Sequence, residues 1–111
     1  MSGITGGCRC GSVRYEIAVD PVMMGNCHCT DCQKYAGTGH GSNLAFPEAG
    51  VAITGELSQF DVEADSGATV SRHFCPKCGV KVYSASTGFD GLTMISAGSL
   101  DDGELFKPMF A

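Results

Sequence analysis

Tryptophan is absent from the 111 residues, and only 7 lysines and arginines stand against 12 acidic residues. Nowhere do the basic residues form a run. Nucleic-acid binding depends on neutralising phosphates, so a net charge of −5 without a basic cluster argues against a nucleic-acid partner. No apolar stretch approaches the ~18–20 residues that a membrane-spanning helix needs, which argues against membrane insertion. The opening "MSGITGGCRCGSVRYEI" lacks the charged-then-apolar pattern of a secretory leader, so the expected location is cytoplasmic. The length suits one domain, and the sequence shows no full-length repeat, linker or low-complexity stretch.

Glycine (16) and cysteine (7) are plentiful. Strand-like alternation dominates. Val13, Tyr15, Ile17 and Val19 fall on one face, with Arg14 and Glu16 opposite. Short β-branched or aromatic runs follow at 51–54, 57–62, 68–74, 80–85 and 92–97, separated by turn residues such as Gly55-Glu56 and Asp90-Gly91. One helix is predicted, over 30–36, with Thr30 as N-cap and Gly37 as its stop. The expectation is a mainly β single domain over 1–111. A core this small takes help from a metal or from disulfides.

In a reducing compartment, clustered thiols point to metal binding or redox chemistry. Cys8 and Cys10 form C-x-C. Cys27, Cys29 and Cys32 form C-x-C-x-x-C. Cys75 and Cys78 form "CPKCG", in which Pro76 and Gly79 favour the tight turn that two thiolates need to share one ion. Pairing Cys8 and Cys10 with Cys75 and Cys78 gives a closed four-thiolate zinc site, whose role is structural. It would close a loop of about 65 residues. Cys27, Cys29 and Cys32 remain, and three protein ligands with the fourth position left to water or substrate is the pattern of a catalytic zinc. Two other sortings stay open. Cys29 and Cys32 could join Cys75 and Cys78 as a zinc ribbon, or His28 could complete the triplet as a closed site.

The motifs "GGCRCGSVRYEI", "CHCTDCQKYAG", "GELSQFDV", "SRHFCPKCGVKVY" and "AGSLDD" resemble, in that order over residues 6–108, the glutathione-dependent formaldehyde-activating enzyme family, which includes centromere protein V. The resemblance implies a β-tent of twisted antiparallel sheets. It implies two zinc ions per chain, a structural one on Cys8, Cys10, Cys75 and Cys78 and a catalytic one on Cys27, Cys29 and Cys32. It also implies a carbon–sulfur lyase joining formaldehyde to the cosubstrate glutathione as S-hydroxymethylglutathione. Family members usually continue past "FKP" into a further strand with a His-Ile pair and a later Trp, whereas this chain stops at "FKPMFA". A short member or a truncated chain is therefore expected. Val80-Lys81 also stands where a Ser-Pro-like continuation is common.

On this basis the expected partner is a small thiol, with a homodimer through an edge strand as a further possibility. His28, His40 and Lys34 are the candidates for moving a proton or holding the tripeptide's carboxylates. His73 is expected to pack or hydrogen-bond beside the structural zinc, Met23 and Met24 to fill the core or its gaps, and Arg72 to be a surface strand residue, with pairing to a zinc-bound sulfur as its other reading. Two alternatives belong to other classes: a non-catalytic zinc-stabilised β module for protein interaction, and a thiol redox switch.

Overall fold

The computed structural model describes residues 3–109. Among the described residues, nine strands form two antiparallel sheets. β1 (Ile4–Gly7), β2 (Arg14–Ile17) and β5 (Val51–Thr54) make a three-stranded sheet in the order β1-β2-β5. β3 (Met23–Cys27), β4 (Gly41–Pro47), β6 (Ser58–Glu63), β7 (Thr69–Phe74), β8 (Lys81–Ser86) and β9 (Leu92–Ser96) make a six-stranded sheet in the order β3-β4-β9-β8-β7-β6. One α-helix, α1 (Thr30–Ala36), connects β3 to β4. The mainly β expectation holds. Among the described residues no helix is long and apolar enough to cross a membrane.

The alternation read in β2 is realised, with Arg14 and Glu16 exposed and Tyr15 and Ile17 buried. Tyr15 and Ile17 meet Leu44, Phe46, Val82 and Ile95 of the large sheet, so the core lies between the two sheets. Burial raises the Tyr15 phenol to about 12. The Ser99 hydroxyl donates to the Ser96 carbonyl (2.7 Å), so the phenol donates to Ser99 at 2.7 Å. Arg14 also grips the carboxylate of Asp101, tying β2 to the segment after β9.

The strands at β5, β6, β7, β8 and β9 lie within one residue of the runs read from sequence. β1, β3 and β4 are additional. β1 carries two glycines, and a Cβ on Gly6 would stand 2.3 Å from the Tyr15 hydroxyl, so the close approach of β1 to β2 excludes a side chain there. β4 has Gly41, Asn43 and Pro47, which mask its strand character, yet it is an interior strand of the large sheet, paired on both sides by β3 and β9. The helix has the expected span, but its N-cap is Cys29 and not Thr30. The Cys29 sulfur accepts from the Cys32 amide at 3.4 Å, and Gly37 ends the helix at φ 75°.

Gly55 follows β5 at φ 109°, and a Cβ there would lie 2.1 Å from the Ser12 carbonyl oxygen. Both the dihedral and the backbone contact oppose any larger residue. Gly55→Ala is expected to cost at least ~1–3 kcal/mol from backbone strain alone. A fall in the urea midpoint at unchanged m-value would register it.

Candidate metal centres

The seven sulfurs gather into two groups. Those of Cys8, Cys10, Cys75 and Cys78 lie within 4.8 Å of one another, and so do those of Cys27, Cys29 and Cys32. All seven thiols are free, with no disulfide between them.

The four-sulfur group sits where β1 and β7 end, between the sheets. Each half is a tight turn whose amides point at sulfur. The Val13 amide donates to the Cys8 sulfur at 3.3 Å, and the Lys77 amide to the Cys75 sulfur at 3.4 Å. Gly11 (φ 82°) and Gly79 (φ 76°) supply the left-handed step in each turn, and the Gly79 amide closes on the Cys75 carbonyl at 2.8 Å. Ser12, which the spacing of cysteines did not single out, places its hydroxyl 3.1 Å from the Cys10 sulfur and 3.3 Å from that of Cys75. Burial pushes the Cys8 thiol up, but the Val13 amide, the Ser12 hydroxyl and the adjacent sulfurs outweigh it and bring it down to about 5. Ser12 and the backbone likewise lower Cys75. Lowering Cys8 and Cys75 favours the thiolate form that a cation binds, whereas at Cys10 the Ser12 contacts lower the thiol but the Cys8 sulfur, burial and the Cys75 sulfur outweigh them and raise it.

The three-sulfur group forms where β3 hands over to α1. Cys27 ends β3, Cys29 caps the helix, and Cys32 sits in its first turn. The Cys27 and Cys29 sulfurs are 3.5 Å apart. The Cys32 amide and its thiol both lower Cys29, whereas burial and then the two neighbouring sulfurs raise Cys32. Among the described residues, no His, Cys or carboxylate donor joins them within 4.8 Å of all three. His28 therefore lies outside the cluster, although it sits between two of its members in sequence.

His28 and His40 are brought together, their rings edge-to-face at 5.6 Å. The Ser42 hydroxyl donates to Asn26 Oδ1 (2.7 Å) and lies 3.1 Å from His40 Nδ1. With its one proton committed to Asn26, Ser42 accepts from Nδ1–H, which leaves His40 Nε2 as the basic nitrogen. Lys34 is exposed on α1. At two positions past Cys32 it faces a different side of the helix. Tyr35, three past Cys32, shares its side. The Arg72 guanidinium lies 4.2 Å and the Lys81 ammonium 4.6 Å from the Tyr35 ring centre.

Register identifies the face on which these groups stand. Cys27 pairs with Gly41, Asn43 with Ser96, Ala45 with Met94, Met94 with Ser84, and Ser84 with Arg72. Strand alternation therefore puts Cys27 and Arg72 on the outer face of the large sheet, away from the three-stranded sheet. The helix crosses that face directly over Gly41, where an added Cβ would meet the Cys32 Cβ at 3.4 Å. His73 points the other way. It stacks on Tyr83 (4.2 Å, 4°) in a cleft of about 410 Å³ between the sheets, with Glu48, Ile53 and Asp90 among its walls and no cysteine. Burial lowers His73, against the pull of Asp61.

A family model described as glutathione-dependent formaldehyde-activating enzyme matches residues 3–111. A Talaromyces marneffei protein named "Putative glutathione-dependent formaldehyde-activating enzyme" is 28% identical, over 98% of this chain and 62% of its own length. A Halomonas elongata protein of the same name is 31% identical, over 68% of this chain and 51% of its own. The chain thus spans between half and two thirds of these curated relatives. The crystal structure of a Rhodobacter sphaeroides protein superposes with a TM-score of 0.73, covering 96% of this chain and 99% of that one, at 15% identity. That likeness speaks for the fold alone.

Proposed function

The chain belongs to the glutathione-dependent formaldehyde-activating enzyme family, and from that premise we propose that it is a zinc-dependent carbon–sulfur lyase acting on a glutathione adduct such as S-hydroxymethylglutathione. The observation that carries the proposal is the inequality of the two sulfur groups. One has four donors, two of them buried, where β1 and β7 end, and the other has three, none of them buried, at the start of a helix.

The sulfur spacing supports zinc in both. A tetrahedral zinc with bonds of about 2.3 Å sets its thiolates roughly 3.8 Å apart. Cys8 and Cys10 stand at 3.6 Å, Cys10 and Cys75 at 3.7 Å, and Cys27 and Cys29 at 3.5 Å. Cys8, Cys10, Cys75 and Cys78 hold the structural ion, and Cys27, Cys29 and Cys32 hold the second. A zinc ion bound to the triplet supplies the means to keep a substrate thiol ionised at neutral pH and to polarise a carbonyl. The chain's own residues do the rest. The three cysteines fix where sulfur and formaldehyde carbon meet. His40, with its Nδ1 proton held by Ser42, offers Nε2 to take the proton that leaves the thiol and to return it to the former carbonyl oxygen. His28, edge-to-face beside it, is the second candidate to carry that proton. In the reverse direction the hydroxymethyl oxygen gives up its proton, the C–S bond breaks, and thiol and aldehyde separate.

The test is to replace zinc with cobalt and titrate glutathione. An entering sulfur is expected to change the thiolate–cobalt absorption, and labelled formaldehyde is expected to exchange with S-hydroxymethylglutathione faster than without protein. An unchanged spectrum together with an unaccelerated exchange would remove the enzyme reading. The interaction-module reading has one observation of its own, the exposed Phe60 on β6 at the free edge of the large sheet. It predicts two tightly held ions and no spectral response to thiols.

A further inference from the structure

We infer that Arg72, Lys81 and the Tyr35 hydroxyl form a carboxylate-binding site that anchors the acidic end of the thiol substrate beside the Cys27/Cys29/Cys32 cluster. The inference rests on the proposed function, because it assumes that a thiol compound seats its sulfur at that cluster.

Three observations converge. First, two cations share one ring in a chain whose net charge is −5. Among the described residues neither has a carboxylate within 4 Å, whereas Arg14 does. Each cation raises the cost of the other, and burial followed by Arg72 lowers the Lys81 ammonium. Like charges placed together without a counter-ion are arranged for an anion that arrives from outside. Second, among the described residues Tyr35 Oη is the buried side-chain oxygen or nitrogen that lacks a hydrogen-bond partner. A buried hydroxyl without a partner is costly, and a carboxylate drawn in by the two cations supplies its acceptor. Third, the placement fits. Tyr35 is one helical turn from Cys32, and Arg72 is on the same sheet face as Cys27.

The span also matches the substrate class. Two strand spacings separate β8 from β4, so roughly 10 Å of sheet face lies between the Lys81 backbone and the floor beneath Cys32. A peptide thiol carries its carboxylate one or two residues from the sulfur, about 3.3–3.6 Å per residue when extended. The long Lys81 and Arg72 side chains cover what remains. A thiol without a carboxylate would find the cluster but no anchor. The class selected is thus a small acidic peptide thiol, in preference to a neutral one.

The experiment is calorimetric titration of the zinc-loaded protein with glutathione and with glutathione diethyl ester, which keeps the thiol and loses both carboxylates. The wild type is expected to favour glutathione by at least tenfold. The Arg72→Gln/Lys81→Gln protein is expected to bind the two ligands alike, with ester affinity and zinc content unchanged. Arg72→Lys/Lys81→Arg, which keeps both charges, is expected to retain most of the preference. A wild type that does not discriminate, or a double glutamine variant that still does, overturns the carboxylate site while leaving thiol binding intact. Failure of both ligands to bind the wild type instead overturns the proposed function, and the anchor with it.

Discussion

Cys75→Ser is expected to abolish the cooperative thermal transition of the protein near neutral pH. The Cys75 side chain is fully buried and packs in the core, and its sulfur meets that of Cys10, 65 residues away in sequence, at 3.7 Å. An ion held there closes the chain on itself and joins the first strand of the small sheet to the β7–β8 turn of the large one. The apolar core is thin, led by Tyr15, Phe46, Ile17, Leu44 and Ile95. A domain of this size has only ~5–15 kcal/mol of net stability, whereas structural zinc sites in small peptides supply apparent binding energies of about 10–16 kcal/mol at pH 7. Losing one thiolate sacrifices much of that and leaves Cys8, Cys10 and Cys78 crowded without their cation. A strong chelator should act in the same direction, with the transition restored when zinc is returned. Circular dichroism melts of wild type, chelated wild type and variant provide the check. A variant melting within a few degrees of the wild type would mean that the four sulfurs do not hold the fold together.

Why this site was legible in the sequence while its neighbours were not has a physical basis. Cysteine spacing is informative because a knuckle needs a fixed number of residues and a left-handed step, and Gly79 provides that step where "CPKCG" places it. The sulfurs accordingly gather four and three, as the spacings grouped them. β2 was legible because one of its faces is buried and the other wet. β4 was not, because Leu44, Ala45 and Phe46 are all buried, which erases the period of two, and a glycine and a proline bound the strand. Thr30 looked like the helix cap because hydroxyls usually serve there. The chain uses the Cys29 sulfur instead, since the residue that caps the helix also belongs to the cluster. Arg72 and Lys81 were beyond reach for a different reason. Nothing local to either residue marks it, and their meeting over Tyr35 arises from the register of β7 with β8 and from the passage of α1 across the sheet. Sequence spacing encodes contacts made within one turn. Contacts made across three elements appear only once the sheet is assembled.

Cys29→Ala should give the opposite pattern to Cys75→Ser: bound metal falls from two ions to one per chain, activity drops by at least a thousandfold, and the fold survives. Cys29 is exposed, and α1 is a seven-residue helix with no buried residue. Losing a side-chain cap costs about 1 kcal/mol, which for a domain of this size lowers the melting temperature by roughly 5 °C. The second ion cannot be held well by Cys27 and Cys32 alone, because two donors leave it open to water and to chelators. The thiol substrate then stays protonated near neutral pH and is a poor nucleophile. Metal content, melting temperature and formaldehyde exchange measured on one preparation separate the possibilities. If the ion, the activity and the fold are lost together, the triplet is a second staple and the accessible face has no chemistry of its own. If the ion is lost while exchange continues at the wild-type rate, the reaction does not depend on these sulfurs. Loss of ion and activity from a protein that still melts cooperatively is the result that the difference between four donors and three requires.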